Sequence, residues 1–187
     1  MQFSPGQYIT VGATGSVESR EYSVYSGVAD PYLEVLIKEV SGGSVSRQLR
    51  RMSQGNLLSV EGPFGFFTIK PEHFRGQLLF VASGTGIAPF HAMVRSNPEL
   101  NYFLLHGIRD LEDCFESETY SSDRYVPCVS QGDGGFQGRV TDYLREHPVH
   151  PSTFCFLCGN SAMIFSAFDL LKKQGVRSEN LFAEVYF

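Results

Sequence analysis

The chain has 187 residues, a formal net charge of −5 and 42% hydrophobic residues. That length suits one large or two small domains, and the acidic balance argues against non-specific nucleic-acid binding. No apolar run approaches the roughly 20 residues that span a bilayer, and residues 1–6 have neither the basic region nor the apolar core of a signal peptide, so a cytoplasmic protein is expected.

Up to about Phe74 the chain reads as short strands broken by Gly, Ser, Pro and Asp, at 7–11, 22–25, 32–38 and 57–61. A single helix is predicted over 45–52. This is the pattern of a small antiparallel barrel. After Gly76 the grammar becomes strand, helix, strand, helix. Strands are predicted at 77–82, 102–106, 125–129, 153–158 and 181–185. Helices are predicted at about 87–95, 138–146 and 161–174, with a weaker one near 112–120. Alternation of this kind predicts a five-stranded parallel sheet with right-handed crossovers and helices on both faces. Arg75-Gly76 is the expected boundary, giving domains at 1–75 and 76–187.

The most pointed segment is Ser83-Gly84-Thr85-Gly86-Ile87-Ala88-Pro89, which follows the apolar run Leu78-Leu79-Phe80-Val81-Ala82. A buried strand, a glycine turn and a helix whose first N–H groups face the turn form the geometry of a dinucleotide phosphate site. Alone the motif equally describes an ordinary strand–helix turn. In the first half, Gly42-Gly43-Ser44-Val45-Ser46 opens a short helix with backbone N–H groups and hydroxyls, an anion cradle, or simply a Ser cap. The strand at 102–106 ends in His106-Gly107-Ile108-Arg109-Asp110, where a dinucleotide's ribose is read. An acid there takes a 2′-OH and an Arg a 2′-phosphate, so this segment leaves both open. Arg139 opens a later helix and adds a second cation.

The cysteines are Cys114, Cys128, Cys155 and Cys158. Cys155 and Cys158 are spaced as Cys-x-x-Cys, yet no second pair completes a zinc site and no closely spaced run suits an iron–sulfur cluster. Reduced thiols and no metal are expected.

In order, Arg20-x-Tyr22-Ser23, Gly43-x-x-Ser46, Gly62-Pro63-x-Gly65, Gly84-Thr85-Gly86-Ile87-Ala88-Pro89, Cys158-Gly159 and Glu184-Val185-Tyr186 resemble the ferredoxin–NADP reductase superfamily of flavoproteins. The resemblance covers nearly the whole chain. It implies FAD and NADPH (or NADH) as cofactors. Arg20 would pair with the FAD pyrophosphate, Tyr22 would stack on the isoalloxazine, and Ser23 would hydrogen-bond near flavin N5. Gly43, Ser44, Val45 and Ser46 would add donors to the same pyrophosphate. Gly84, Thr85 and Gly86 would approach the NAD(P) phosphates, with Arg109 and Arg139 at the ribose and Gly159 at the turn after the fourth strand of the sheet. Cys158 would sit beside nicotinamide C4 and Glu184 near the hydride path. Tyr186, with Phe187 beyond it, would cover the flavin face and act as a gate, because nothing downstream restrains them.

The implied activity is an NAD(P)H-dependent reductase passing electrons to a separate one-electron carrier, a ferredoxin or flavodoxin. A free-flavin or quinone reductase and a non-catalytic flavin-binding subunit are the rival readings. Two departures stand out. The family carries about two more strands before the segment that matches 3–8, so either the start is shortened or the barrel is open, with its edge covered by a partner chain such as a second copy. Ser130-Gln131 also stands where many NADP-specific relatives place Ser-Arg.

Overall fold

The computed structural model describes residues 1–186, and Phe187 lies outside them. In the first half, β1 (Tyr8–Ala13), β2 (Arg20–Ser23) and β3 (Leu58–Phe64) form an antiparallel sheet in the order β2-β1-β3. Alternation along β1 divides its labour. Ile9 and Val11 are buried against Val24 in a small apolar cluster, while Tyr8 and Thr10 line a cavity. α1 (Ser44–Arg50) lies against β1. The sheet is open rather than closed into a barrel, since three strands leave β2 and β3 as edges.

The expected strand at 32–38 is a correction. Only Val35 pairs, through an isolated bridge to Val24. Next to it, the Glu34 amide donates to the Ser26 hydroxyl at 3.1 Å, so a side chain takes the place of a ladder carbonyl.

In the second half, β4 (Leu78–Ser83), β5 (Tyr102–Ile108), β6 (Tyr125–Val129), β7 (Phe136–Gln137), β8 (Phe154–Asn160) and β9 (Leu181–Tyr186) run parallel in the order β7-β6-β5-β4-β8-β9. The sixth strand, β7, has two residues, too few for any sequence period to reveal. α2 (Ala88–Ser96), α3 (Val140–Glu146) and α4 (Ser161–Lys173) are the helices of this half. β4 alternates between two cores: Leu78, Phe80 and Ala82 enter one cluster with Phe90 and Phe156. Leu79 and Val81 enter the other with Leu157 and Leu171. A strand covered on both faces therefore reads as a continuous apolar run. The weak helix near 112–120 is instead two 3₁₀ turns, 111–113 and 117–119, because Glu116 between them adopts φ 47°, a left-handed conformation that stops a helix.

α2 locks the halves together. The buried His91 ring stacks on Tyr25 with centroids 3.7 Å apart, and its Nδ1 lies 2.7 Å from the Tyr25 carbonyl. Arg95 forks onto Asp30 through two hydrogen bonds of 2.7 and 3.1 Å. From β4 the chain builds outward to β7 on one side and then returns to β8 and β9 on the other, so the crevice at the carboxyl ends of β4 and β8 is the topological switch point.

Candidate functional site

Where the β2 edge of the small sheet meets the β9 edge of the large one, a cavity of about 590 Å³ opens. β1 and β2 supply one wall, the start of α1 a second, and Thr85, Glu184, Val185 and Tyr186 a third. Its size lies within the range of cofactor pockets.

At the junction the Tyr186 hydroxyl donates to Ser23 Oγ at 2.6 Å, and Ser23 Oγ donates to Glu184 Oε1 at 2.9 Å. A hydroxyl has one proton, so the chain has a single direction and ends on the carboxylate. Burial pushes the Glu184 carboxyl above the usual carboxylate range, Ser23 pulls it down, and Glu21 pushes it up. The Cys158 thiol lies fully buried below, facing Glu184 across the β8–β9 register. Burial, reinforced by Glu184, drives its ionisation far up, so it is a neutral thiol.

This geometry bears on two expectations. In this arrangement Ser23 gives its proton to Glu184, at the cavity wall where a contact to the flavin was expected. Tyr186 is not unrestrained either, because its hydroxyl is tied to Ser23. Phe187, the other half of the expected gate, is outside the described residues.

Arg20, Gly43, Ser44, Val45 and Ser46 all border the cavity. A Cβ on Gly43 would meet Ser46 Oγ at 2.8 Å, so a side chain there would fill the cradle. Ser46 Oγ accepts from the Val40 amide at 3.2 Å, and the Ser44 hydroxyl is taken by Glu18. Ser46 Oγ only accepts there and keeps its own proton, so it stands with the backbone N–H groups and Arg20 as an anion-holding group. Arg20 is exposed and, among the described residues, donates only to the Ser19 carbonyl, at 2.8 Å. Tyr22 packs partly against the Ile9–Val11–Val24 cluster and also borders the cavity. A guanidinium, a backbone cradle and flanking aromatic rings suit a flavin dinucleotide.

The glycine turn lies at the switch point. Gly86 is required by contact: a Cβ there would come within 2.3 Å of the Cys158 carbonyl, where the turn seats on β8. Across the crevice the Asn160 amide donates to Ser83 Oγ at 2.9 Å beside Gly159. Arg109 and Arg139 are exposed on loops after β5 and before α3, at the same carboxyl edge, and form no ion pair among the described residues. The Gln131 amide donates to the Arg109 carbonyl at 3.0 Å, which places the Ser130-Gln131 loop beside it. Thr85 reaches the main cavity. Gly84, Gly86, Gly159, Arg109 and Arg139 do not line it.

Sequence reasoning missed Tyr8, Thr10 and Lys38 on the cavity wall. The alternation in β1 signals the first two, since the partners of buried Ile9 and Val11 must face the other way. It also missed His106, buried beneath the glycine turn. No helix is long and apolar enough to cross a membrane among the described residues.

Residues 1–69 match the model of the oxidoreductase FAD-binding domain family, and residues 80–168 that of the oxidoreductase NAD-binding domain family. The toluate 1,2-dioxygenase electron transfer component of Pseudomonas putida is 28% identical over 201 residues, covering 100% of this chain and 59% of that protein. The ferredoxin–NAD(P)(+) reductase component of naphthalene 1,2-dioxygenase/salicylate 5-hydroxylase systems from a Ralstonia species is 30% identical, covering 100% of this chain and 61% of its own. Ferredoxin–NADP reductase B of Sorangium cellulosum is 28% identical over 98% of this chain and 85% of its own. The chain thus spans about three fifths of the length of the first two relatives. Among solved structures, a cytochrome P450 reductase of Amycolatopsis superposes with a TM-score of 0.88 at 24% identity, covering 99% of this chain and 61% of that one. A ferredoxin NADP+ reductase of Neisseria gonorrhoeae with bound FAD and NADP gives 0.80 at 23%, covering 100% and 88%. At those identities the superpositions establish the fold.

Proposed function

We propose that this chain, which belongs to the ferredoxin–NADP reductase superfamily of flavoproteins, is an NAD(P)H-dependent reductase that hands electrons to a separate one-electron carrier, a ferredoxin or a flavodoxin. The observation that carries the reading is the Tyr186–Ser23–Glu184 chain, in which the FAD-binding and NAD-binding halves meet at one cavity wall. A binding module has no need of a directed proton chain on a carboxylate with raised affinity for the proton. FAD, when bound, supplies the exchange between hydride and single-electron chemistry.

The chain's own residues divide the remaining work. Arg20 and the backbone of Gly43, Ser44, Val45 and Ser46 hold the flavin diphosphate, with Tyr22 beside the ring system. Gly84, Thr85, Gly86 and Gly159 form the seat for the nicotinamide nucleotide's phosphates, and Arg109 and Arg139 attract a 2′-phosphate where NADPH is used. Glu184 Oε1 accepts from Ser23, which in turn accepts from Tyr186, so the three side chains hold the carboxyl in place at the seam. Cys158, neutral and dry, excludes water beneath the reacting face. Tyr186 gates that face, and opening it costs its hydrogen bond to Ser23. We assign 1–75 to flavin binding and 76–187 to nucleotide binding. Four free cysteines suit a reducing cytoplasm, and the exposed β3 edge suits pairing with a second copy.

The test is anaerobic mixing of the FAD-loaded protein with NADPH or NADH. Bleaching of the flavin absorbance, followed by its return on adding an oxidised ferredoxin or flavodoxin, is expected. No bleaching with either nucleotide overturns the reading.

A further inference from the structure

Beneath the glycine turn, His106 is 1% exposed and lies between two polar partners. Its Nε2 is 2.9 Å from the Gly84 carbonyl and its Nδ1 is 3.0 Å from the Tyr125 hydroxyl. A carbonyl only accepts, so Nε2 carries a proton. Burial pushes this histidine down to about 4, so the ring is neutral and Nδ1 is the acceptor. Tyr125 therefore donates to Nδ1, and Cys114 Sγ, 3.3 Å from the same hydroxyl, donates to Tyr125. Every proton in the series Cys114, Tyr125, His106, Gly84 points one way.

Its end point is a backbone plane. The only cis peptide among the described residues is Gly62–Pro63, so the Gly84–Thr85 peptide is trans and planar, and its N–H points opposite to its C=O. Anchoring the Gly84 carbonyl down onto His106 aims the Thr85 N–H away from the sheet, and Thr85 borders the cavity. Gly84 itself has φ 53°, with nothing within 4 Å of the place a Cβ would occupy. Gly86 and Ile87 seat the turn on β8, but no packing at Gly84 itself orients the Gly84–Thr85 peptide. Nor does Thr85 find an acceptor inside a single 3₁₀ turn, whose first amides are unpaired.

We propose that His106 is a positioning residue for the nicotinamide nucleotide: by holding the Gly84 carbonyl it turns the Thr85 amide outward as a donor to the nucleotide's diphosphate. This rests on the reading of the turn as a phosphate seat. Because the diphosphate is common to both nucleotides, His106 acts on NADH and NADPH alike, unlike Arg109 or Arg139. Tyr125 in turn selects the tautomer that makes the anchor.

The experiment is calorimetric titration of the FAD-loaded protein with NAD+ and with NADP+, together with FAD content and Tm. A Gln amide reaches the position of Nε2 and can replace its donor, whereas Asn mimics Nδ1. We expect His106→Gln to stay within about threefold of wild type, and His106→Asn to bind both nucleotides about tenfold more weakly with FAD content unchanged, the loss of one buried hydrogen bond. Equal binding by His106→Asn and wild type, or equal loss by Gln and Asn, overturns the proposal. Should the variants unfold, imidazole nitrogen shifts of the wild-type protein decide. An Nε2-protonated His106 that responds to nucleotide supports the anchor, and an Nδ1-protonated ring refutes it. Wild-type protein that holds FAD but binds neither nucleotide defeats the phosphate-seat reading itself, a different result from a variant that matches wild type.

Discussion

β4 and β3 differ by one residue in length, yet every residue of β4 except Ser83 is buried, whereas β3 buries none. The large sheet carries apolar clusters on both faces. The small sheet has three buried residues in its cluster and leaves Leu58, Val60 and Phe64 exposed. One half is therefore an independent core, while the other is a wall whose remaining contacts come from what docks on it. The cavity proposed for the flavin draws most of its wall from the weaker half, so cofactor binding there would contribute to that half's order, by mass action on the folded state.

The largest test of this contrast is a pair of truncations. Phe80→Ala removes a fully buried ring stacked 4.7 Å from Phe90, and should lower unfolding stability by about 3–5 kcal/mol. Leu58→Ala, at 46% exposure, should change it by no more than about 0.5 kcal/mol. Urea unfolding measures both, and comparable costs would erase the distinction between the halves.

Next comes Arg20→Ala, which should weaken FAD by about 1.5–3 kcal/mol, the loss of a charge-assisted contact, while leaving nucleotide binding near wild type. Flavin fluorescence on dilution reports the release. A parallel loss of nucleotide affinity would mean that the halves do not bind separately.

Arg109→Ala and Arg139→Ala address the other half. On exposed side chains each contact contributes about 1 kcal/mol, so the KM for NADPH should rise severalfold with that for NADH little changed. Equal changes for both nucleotides would remove the 2′-phosphate role.

At the seam, ending the chain at Val185 removes the ring that Ser23 holds. Nicotinamide binding should then tighten by about 0.5–1.5 kcal/mol, the stacking contribution of one aromatic pair. An unchanged Kd leaves Tyr186 as a strand end only.

The smallest effect is a pH slope. Burial raises the Glu184 carboxyl above its ordinary value of 4.5, so the folded protein binds a proton more tightly than the unfolded chain. That stability is fully present below 4.5 and is lost as pH rises through the raised folded value. Glu184→Gln should flatten the fall in Tm over this window, and an equally steep fall in the variant would assign it elsewhere.

The parts of this molecule legible in advance are those that a local period encodes. β4, β5 and β8 appear as apolar runs because both faces are covered, and α4 appears at helical spacing before Gly175. The glycine turn was legible because its residues are contiguous. The run at 32–38 misled because its backbone pairing with residues 24–25 stops at a single bridge, where the Glu34 amide turns to the Ser26 hydroxyl.

What the sequence by itself determined is thus the change from short antiparallel strands to alternating strands and helices, and the two contiguous glycine turns that open α1 and precede α2. Only the tertiary structure decided that Ser23 meets Glu184 and Tyr186, 161 and 163 residues away, and that His106 lies under Gly84, 22 residues earlier. The physical reason is the range of the signals. Periodicity and turn chemistry act over a few residues, whereas a hydrogen bond between two sheet edges exists only after both sheets have packed.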